Sequence, residues 1–235
     1  MLTFQNLTFR YRRKPPLFRD ISISFPKGKT LLLGPNGSGK STLFALAAGL
    51  IKPTGGVTSP KSSKVTLMPQ SIPVFRGLSV REQVAYTGWL VGKSSENSWS
   101  QSGELLETVN LSDKAEDSTK SLSGGQLRRV GIANALISDN HILLFDEPTA
   151  GLDLHQASNF YQTLDKISGD KCIVVSSHQI EGNSGFFDNV ALLMHGEIKF
   201  FGSFTTFLDI GKALGITDPS QALVAAYSSM VEDDQ

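Results

Sequence analysis

Apolar residues recur along this chain with two different periods. In the first thirty residues they alternate, with Leu7, Phe9 and Tyr11 on one face of one strand and Ile21, Ile23 and Phe25 on one face of another. FPKGK then turns the chain, and TLLLG (30–34) reads as a short strand buried on both faces. KSTLFALAAGL (40–50) has helical spacing, PTGG (53–56) a turn, and KVTLM (64–68) a further strand. Residues 71–120 contain no convincing strand. Ser79 with Glu82 forms a capping box that starts the helix VREQVAYTGWL, with Trp89 packed beneath this section. GKSSENSWSQSG (92–103) reads as a polar loop carrying Trp99, ELLETVNL as a short helix, and Asp113 with Glu116 as another helix start. From residue 125 helices and strands alternate again. QLRRVGIANALI is helix and HILLF strand; LHQASNFYQTLDKI is helix, with Leu154, Ala157, Tyr161 and Leu164 on one face. CIVVS is strand, NVALLM and EIKFFG a hairpin, and Asp218-Pro219 opens a last helix. Continuous apolar strands alternating with helices predict an α/β fold with a mostly parallel sheet covered on both faces. An antiparallel N-terminal β part and a helical insertion over about 71–130 are added to it.

Composition narrows the function. Lys plus Arg and Asp plus Glu number 22 each, so no overall field recruits nucleic acid or an anionic membrane. The basic run RYRRK at 10–14 is the main local exception, and reads either as a solvated loop or as a polyanion site. One cysteine, Cys172, sits inside an apolar strand, which rules out a disulfide within the chain. The N-terminus has no signal-peptide core. The longest apolar stretch, LFALAAGLI, is far below the roughly 20 residues of a membrane span. The expectation is a soluble, cytoplasmic protein.

Chemistry enters with GPNGSGKST at 34–42. The glycines Gly34, Gly37 and Gly39, with Pro35, Asn36 and Ser38 between them, lie between an expected strand and an expected helix. There their amides converge on a phosphate, aided by about half a positive charge at the helix start. Lys40 reaches the β- and γ-phosphates and the Ser41 hydroxyl ligates Mg²⁺; Thr42 follows in the first turn. HILLFDEP complements this loop: its strand delivers Asp146, a partner for Mg²⁺, and Glu147, placed for the water that attacks the γ-phosphate. His178 ends another strand at the same sheet edge, where it can contact the γ-phosphate. Gln70 follows KVTLM there, where its amide can complete the Mg²⁺ shell or orient water. His141, His155 and His195 lack such placement and read as surface or packing residues.

A second glycine pair lies in LSGGQ at 122–126 (Leu122, Ser123, Gly124, Gly125, Gln126). It lacks a lysine, so alone it is a weak phosphate site. In order and spacing, GPNGSGKST, Gln70, LSGGQ, ILLFDEP, GLD at 151–153 and His178 resemble the ATP-binding-cassette ATPases over nearly the whole chain. The resemblance implies a P-loop NTPase core (1–70 and 131–202), a helical subdomain (about 71–130) and C-terminal helices (203–235). It implies ATP and Mg²⁺ as ligands, with Tyr11 stacking on adenine. It also implies a second cassette, in a homodimer or other pairing, each LSGGQ capping the ATP held by the partner's P-loop. Asp153 falls in the loop that crosses that interface; Leu154 departs from the proline many members carry. All catalytic groups are present, so an active ATPase is implied. Its partner would be a transmembrane permease contacted between Gln70 and Ser79, where Pro73, Val74 and Phe75 offer apolar surface. Those three residues read equally as packing within the insertion. The compact single cassette resembles exporter subunits of the ABC-2 type, seated at the inner face of the membrane through the permease and without nucleic acid. An importer subunit, or a soluble regulatory ATPase acting on ribosome or DNA, is the alternative.

Overall fold

The computed structural model describes residues 1–178 and 185–232. The chain opens with strands β1 (Leu2–Phe9) and β2 (Phe18–Phe25), then β3 (Gly28–Leu33), helix α1 (Lys40–Ala47) and β4 (Gly55–Ser59). β1 pairs antiparallel with β2 on one side and β4 on the other. The expected turn at 53–56 is therefore also the start of a strand, whose glycines and exposed residues suit a sheet edge. Asn6, at φ 50, breaks the register of β1, and the strand ends at Phe9. Tyr11 consequently leaves the Leu7–Phe9 face and lies in the following loop, 45% exposed.

The remaining elements are β5 (Val65–Met68), α2 (Val80–Leu90), α3 (Ser95–Thr108), α4 (Gly124–Leu136), β6 (Ile142–Phe145), α5 (Leu154–Ser168) and β7 (Cys172–Ser177). After these come the hairpin β8 (Asn189–Met194) and β9 (Glu197–Ser203), and the helices α6 (Phe204–Ala213) and α7 (Pro219–Glu232). The second sheet has the order β5-β6-β7-β3-β8-β9, parallel throughout except for β9. Strand parity divides the core into two layers. Leu31, Leu33, Leu143, Phe145, Ile173 and Val175 face the helices α2 to α7. Leu32, Ile142, Leu144, Cys172 and Val174 face α1 and the antiparallel sheet. The architecture is the expected α/β one, with a mostly parallel sheet, an antiparallel N-terminal part and a helical section.

The helical section departs from expectation in detail. The segment read as a polar loop at 92–103 is mostly α3. Ser94 caps it by accepting from the Asn97 amide at 3.2 Å, and Ser98, Ser102 and Leu106 form its buried stripe. Serines suffice there because α2 comes close: a Cβ on Gly88 would lie 2.9 Å from Ser98 Oγ. Asp113 and Glu116 start no α-helix; Ser112–Lys114 is a single 3₁₀ turn. Trp89 is 53% exposed and stacked on Tyr86, because the buried face of α2 is formed by Val80, Gln83, Val84 and Gly88. Trp99 lies on α3, beneath the Arg81 guanidinium at 4.1 Å. Leu154 is 86% exposed, since the inward stripe of α5 consists of Ala157, Phe160, Tyr161 and Leu164.

Candidate functional site

The loop joining β3 to α1 lies at the C-terminal edge of the parallel sheet. Gly37 and Gly39 lie in the left-handed region, at φ 84° and 109°, which only glycine adopts cheaply. A Cβ on Gly37 would meet nothing within 4 Å, whereas one on Gly39 would lie 2.7 Å from the Phe18 ring. The loop is thus open on one side and pressed against β2 on the other. Lys40 is buried, and its Nζ donates to the carbonyls of Gly34 at 2.7 Å and Pro35 at 3.2 Å. Burial lowers the pKa of this ammonium, opposed by the nearby charges of Glu147 and Asp146. Ser38 Oγ is buried with no hydrogen-bond partner among the described residues. Ser41 is exposed in the first turn of α1, and Thr42 Oγ1 lies 2.9 Å from Tyr11 Oη.

β6 brings the two acids to the same edge. The Asp146 amide donates to Met68 O at 3.0 Å, and its Oδ1 accepts from Ser176 Oγ at 2.7 Å. That serine oxygen also accepts from the Glu147 amide at 2.9 Å. Glu147 adopts φ 44, a conformation disfavoured outside glycine and common at working sites. Its carboxylate is the meeting point of the cluster. Oε1 is 3.7 Å from Lys40 Nζ, Oε2 is 3.1 Å from His178 Nδ1, and Gln70 Nε2 donates to Oε2 at 3.5 Å. Tyr11, Asn36, Gly37, Gly39, Lys40, Ser41, Thr42, Gln70, Glu147 and His178 line one cleft of about 800 Å³, a size suited to a nucleotide. Gly34, Pro35, Ser38 and Asp146 do not line it: the first two hold Lys40 through their carbonyls, and Ser38 and Asp146 are buried. Lys14, Pro15 and Pro16 also line this cleft, so the basic run noted in the sequence is partly at the site. Sequence reasoning missed Ser176 and the Tyr11–Thr42 pairing. The signal for Ser176 was its place at the end of an apolar strand aimed at the same sheet edge.

LSGGQ does not join this cleft. Ser123 caps α4 in a reciprocal box: its Oγ accepts from the Gln126 amide at 3.3 Å, and Gln126 Oε1 accepts from the Ser123 amide at 2.8 Å. Leu122 leads into this turn and packs against the helical core. Ser123 and Gly124 are exposed, and a Cβ on Gly124 would meet nothing within 4 Å. Ser123, Gly125 and Gln126 line a separate cavity of about 270 Å³ with Arg129 and Gln156. Asp153 caps α5 by accepting from the Gln156 amide at 2.8 Å. Arg128 of α4 connects the two regions by donating to the backbone carbonyl of Gln70.

The ABC transporter family model matches residues 18–150. The linearmycin resistance ATP-binding protein LnrL of Bacillus subtilis is 29% identical over 218 residues, covering 87% of this chain and 70% of that protein. The methionine import ATP-binding protein MetN 3 of Oceanobacillus iheyensis is 32% identical over 229 residues, covering 88% of this chain and 67% of that protein. Mouse ATP-binding cassette sub-family A member 17 is 32% identical over 204 residues, and there the chain spans 12% of the relative's length. Among solved structures, the ADP- and Pi-bound dimer of the ATP-binding cassette MJ0796 matches with TM-score 0.77 and 25% identity, covering 87% of this chain and 99% of that one. An ATP-binding subunit of an ABC transporter shares the fold with TM-score 0.82 at 20% identity, covering 98% and 99%. No helix among the described residues is long and apolar enough to cross a membrane. With the P-loop, the paired acids and LSGGQ set out on this fold, the chain belongs to the ABC transporter family, as one of its ATP-hydrolysing cassettes.

Proposed function

We propose that this cassette drives solute export through a transmembrane permease, by closing head to tail on a second cassette with ATP between them. The observation that carries the catalytic part is the convergence of Lys40, Gln70 and His178 on the Glu147 carboxylate in one cleft. Glu147 acts as general base toward the attacking water, and His178 holds that carboxylate and faces the γ-phosphate. Lys40, already desolvated, exchanges its loop carbonyls for phosphate oxygens. The open Gly37 face and the unpartnered Ser38 hydroxyl fit an anion held by the loop. Tyr11 stacks on the base. Ser41, Asp146 and Gln70 form an all-oxygen donor set that suits Mg²⁺, which keeps most of its waters and binds few protein ligands. Bound there, the ion would neutralise charge on the triphosphate.

Leu122 to Gln126 serve the partner's nucleotide in this reading, supported by the exposure of Ser123 and Gly124 and by the separation of the segment from the cleft of its own chain. Asp153 lies beside the same interface. The loop through Pro73, Val74 and Phe75 docks the permease, which places the cassette at the cytoplasmic face of the membrane. The chain divides into a core (1–70 and 131–202), a helical subdomain (about 71–130) and C-terminal helices from 203. Export is favoured by similarity to the linearmycin resistance ATP-binding protein LnrL. Similarity to MetN 3 supports the import reading.

Glu147→Gln tests the mechanism. The variant keeps Lys40 and Asp146, so it should bind ATP normally while hydrolysis falls roughly 10²–10⁴-fold, the usual size of a general-base effect. Turnover close to wild type would remove Glu147 from that role. Direction is read separately, by reconstituting the cassette with its permease in vesicles and following which side accumulates solute.

A further inference from the structure

We propose that the Tyr11 and Thr42 hydroxyls form a positioning pair, which fixes the base-stacking ring relative to the helix that receives the phosphates. The inference rests on the nucleotide reading above and names how its two ends are kept in register.

Tyr11 belongs to no strand or helix. It sits in an exposed loop of four cations, Arg10, Arg12, Arg13 and Lys14, whose mutual repulsion works against a single loop conformation. Few backbone contacts hold that loop: the Leu17 amide donates to Phe9 O at 2.8 Å, and the Lys14 amide to Tyr11 O at 3.0 Å. The ring is nonetheless fixed at both ends. Its body meets Phe9 edge-on, with centroids 4.9 Å apart, and its hydroxyl lies 2.9 Å from Thr42 Oγ1, 31 residues further along the chain. Thr42 stands in the first turn of α1, two residues after Lys40, and both Tyr11 and Thr42 line the nucleotide cleft.

Either hydroxyl can be the donor in this pair. Each hydroxyl has one proton to donate, and can accept as well. If Tyr11 donates to Thr42, the Thr42 proton stays free for an oxygen of the bound triphosphate. The chain Tyr11–Thr42–phosphate then spans the two ends of the ligand. A ring held in place before binding costs less ordering entropy when the base arrives, so the pair acts on affinity. Tyr11 and Thr42 are positioning residues here; neither touches the bond that breaks.

The test uses the full chain in three variants. Tyr11→Phe and Thr42→Val each keep shape and lose a hydroxyl, and Thr42→Ser keeps the hydroxyl. Tyr11→Phe should raise the KM for ATP roughly three- to tenfold, the range of one net hydrogen bond, with the change in kcat below about twofold. Inhibition by inorganic tripolyphosphate, which has no base to stack, should be unchanged in Tyr11→Phe and weakened in Thr42→Val. Thr42→Ser should behave like the parent protein. The double variant Tyr11→Phe/Thr42→Val should be no worse than Thr42→Val alone, since the shared bond is already lost. An unchanged KM in Tyr11→Phe, or KM effects that multiply in the double variant, would overturn the pairing while leaving the nucleotide site intact. A parent protein that neither binds nor hydrolyses ATP would instead overturn the nucleotide reading itself.

Discussion

At the end of β7, Ser176 donates to Asp146 Oδ1 and accepts from the Glu147 amide through a single oxygen. The Asp146 carboxylate and the Glu147 backbone are therefore tied to the neighbouring strand, and the positive φ of Glu147 is held by that tie. Ser176→Ala leaves a part-buried amide without its acceptor and one Asp146 oxygen without its donor. Such losses cost about 1–3 kcal/mol. Because the lost bonds act on the acids rather than on the phosphate loop, kcat should fall roughly 10- to 100-fold, with little change in ATP affinity. Single-turnover hydrolysis beside a nucleotide titration measures both. An unchanged rate would show that β6 alone orients the acids.

At the scale of elements, α2 and the loop before it form one unit. Gln83 is fully buried on α2; its amide oxygen accepts from the Phe75 amide at 3.0 Å, and its nitrogen donates to Pro73 O at 2.9 Å. The loop is thereby held on the helix, with Phe75 edge-on to Tyr86. It forms one wall of a groove of about 500 Å³, where Leu50, Ile72, Leu90 and Val91 contribute apolar surface and no lining side chain is charged. Phe75→Asp sets a carboxylate into that wall. The isolated cassette should keep its ATPase activity, because Phe75 does not line the cleft of the Glu147 cluster, while copurification with the permease is lost. Assembly at parental yield would move the docking site elsewhere. A large drop in melting temperature would instead mark Phe75 as a packing residue.

For the whole molecule, the question is how the two halves of the proposed ATP site combine. Lys40→Ala removes the cation proposed to bind the phosphates; Ser123→Arg fills the space in front of LSGGQ. If each half serves the partner's nucleotide, either variant alone has two damaged sites and should be nearly inactive. Mixed, they should form heterodimers with both lesions in one site and the other site whole, so activity returns. ATP-dependent crosslinking between cysteines placed at positions 38 and 123 provides the structural control. Crosslinks between chains support the composite site, and crosslinks confined to single chains would sink it.

Much of this was legible in the sequence alone. Continuous apolar runs in TLLL, ILLF and CIVV marked buried strands, and the glycine loop, the paired acids and LSGGQ identified the chemistry. The capping box at Ser79 marked a helix start, because a cap is a contact between residues three apart. These signals are local: a period, a spacing or a turn that a few neighbouring residues satisfy by themselves. Tertiary structure decided what depends on distant partners. Ser98 and Ser102 became a buried stripe only because Gly88 lets α2 come close, which no hydropathy scale registers. Trp89 and Leu154, apolar enough to be expected inside, face outward because their helices bury other stripes. Tyr11, Thr42 and Ser176 gained their roles through partners 29 to 31 residues away. Short-range pattern selects the elements; the long-range crossing of strands and helices decides which side chains meet.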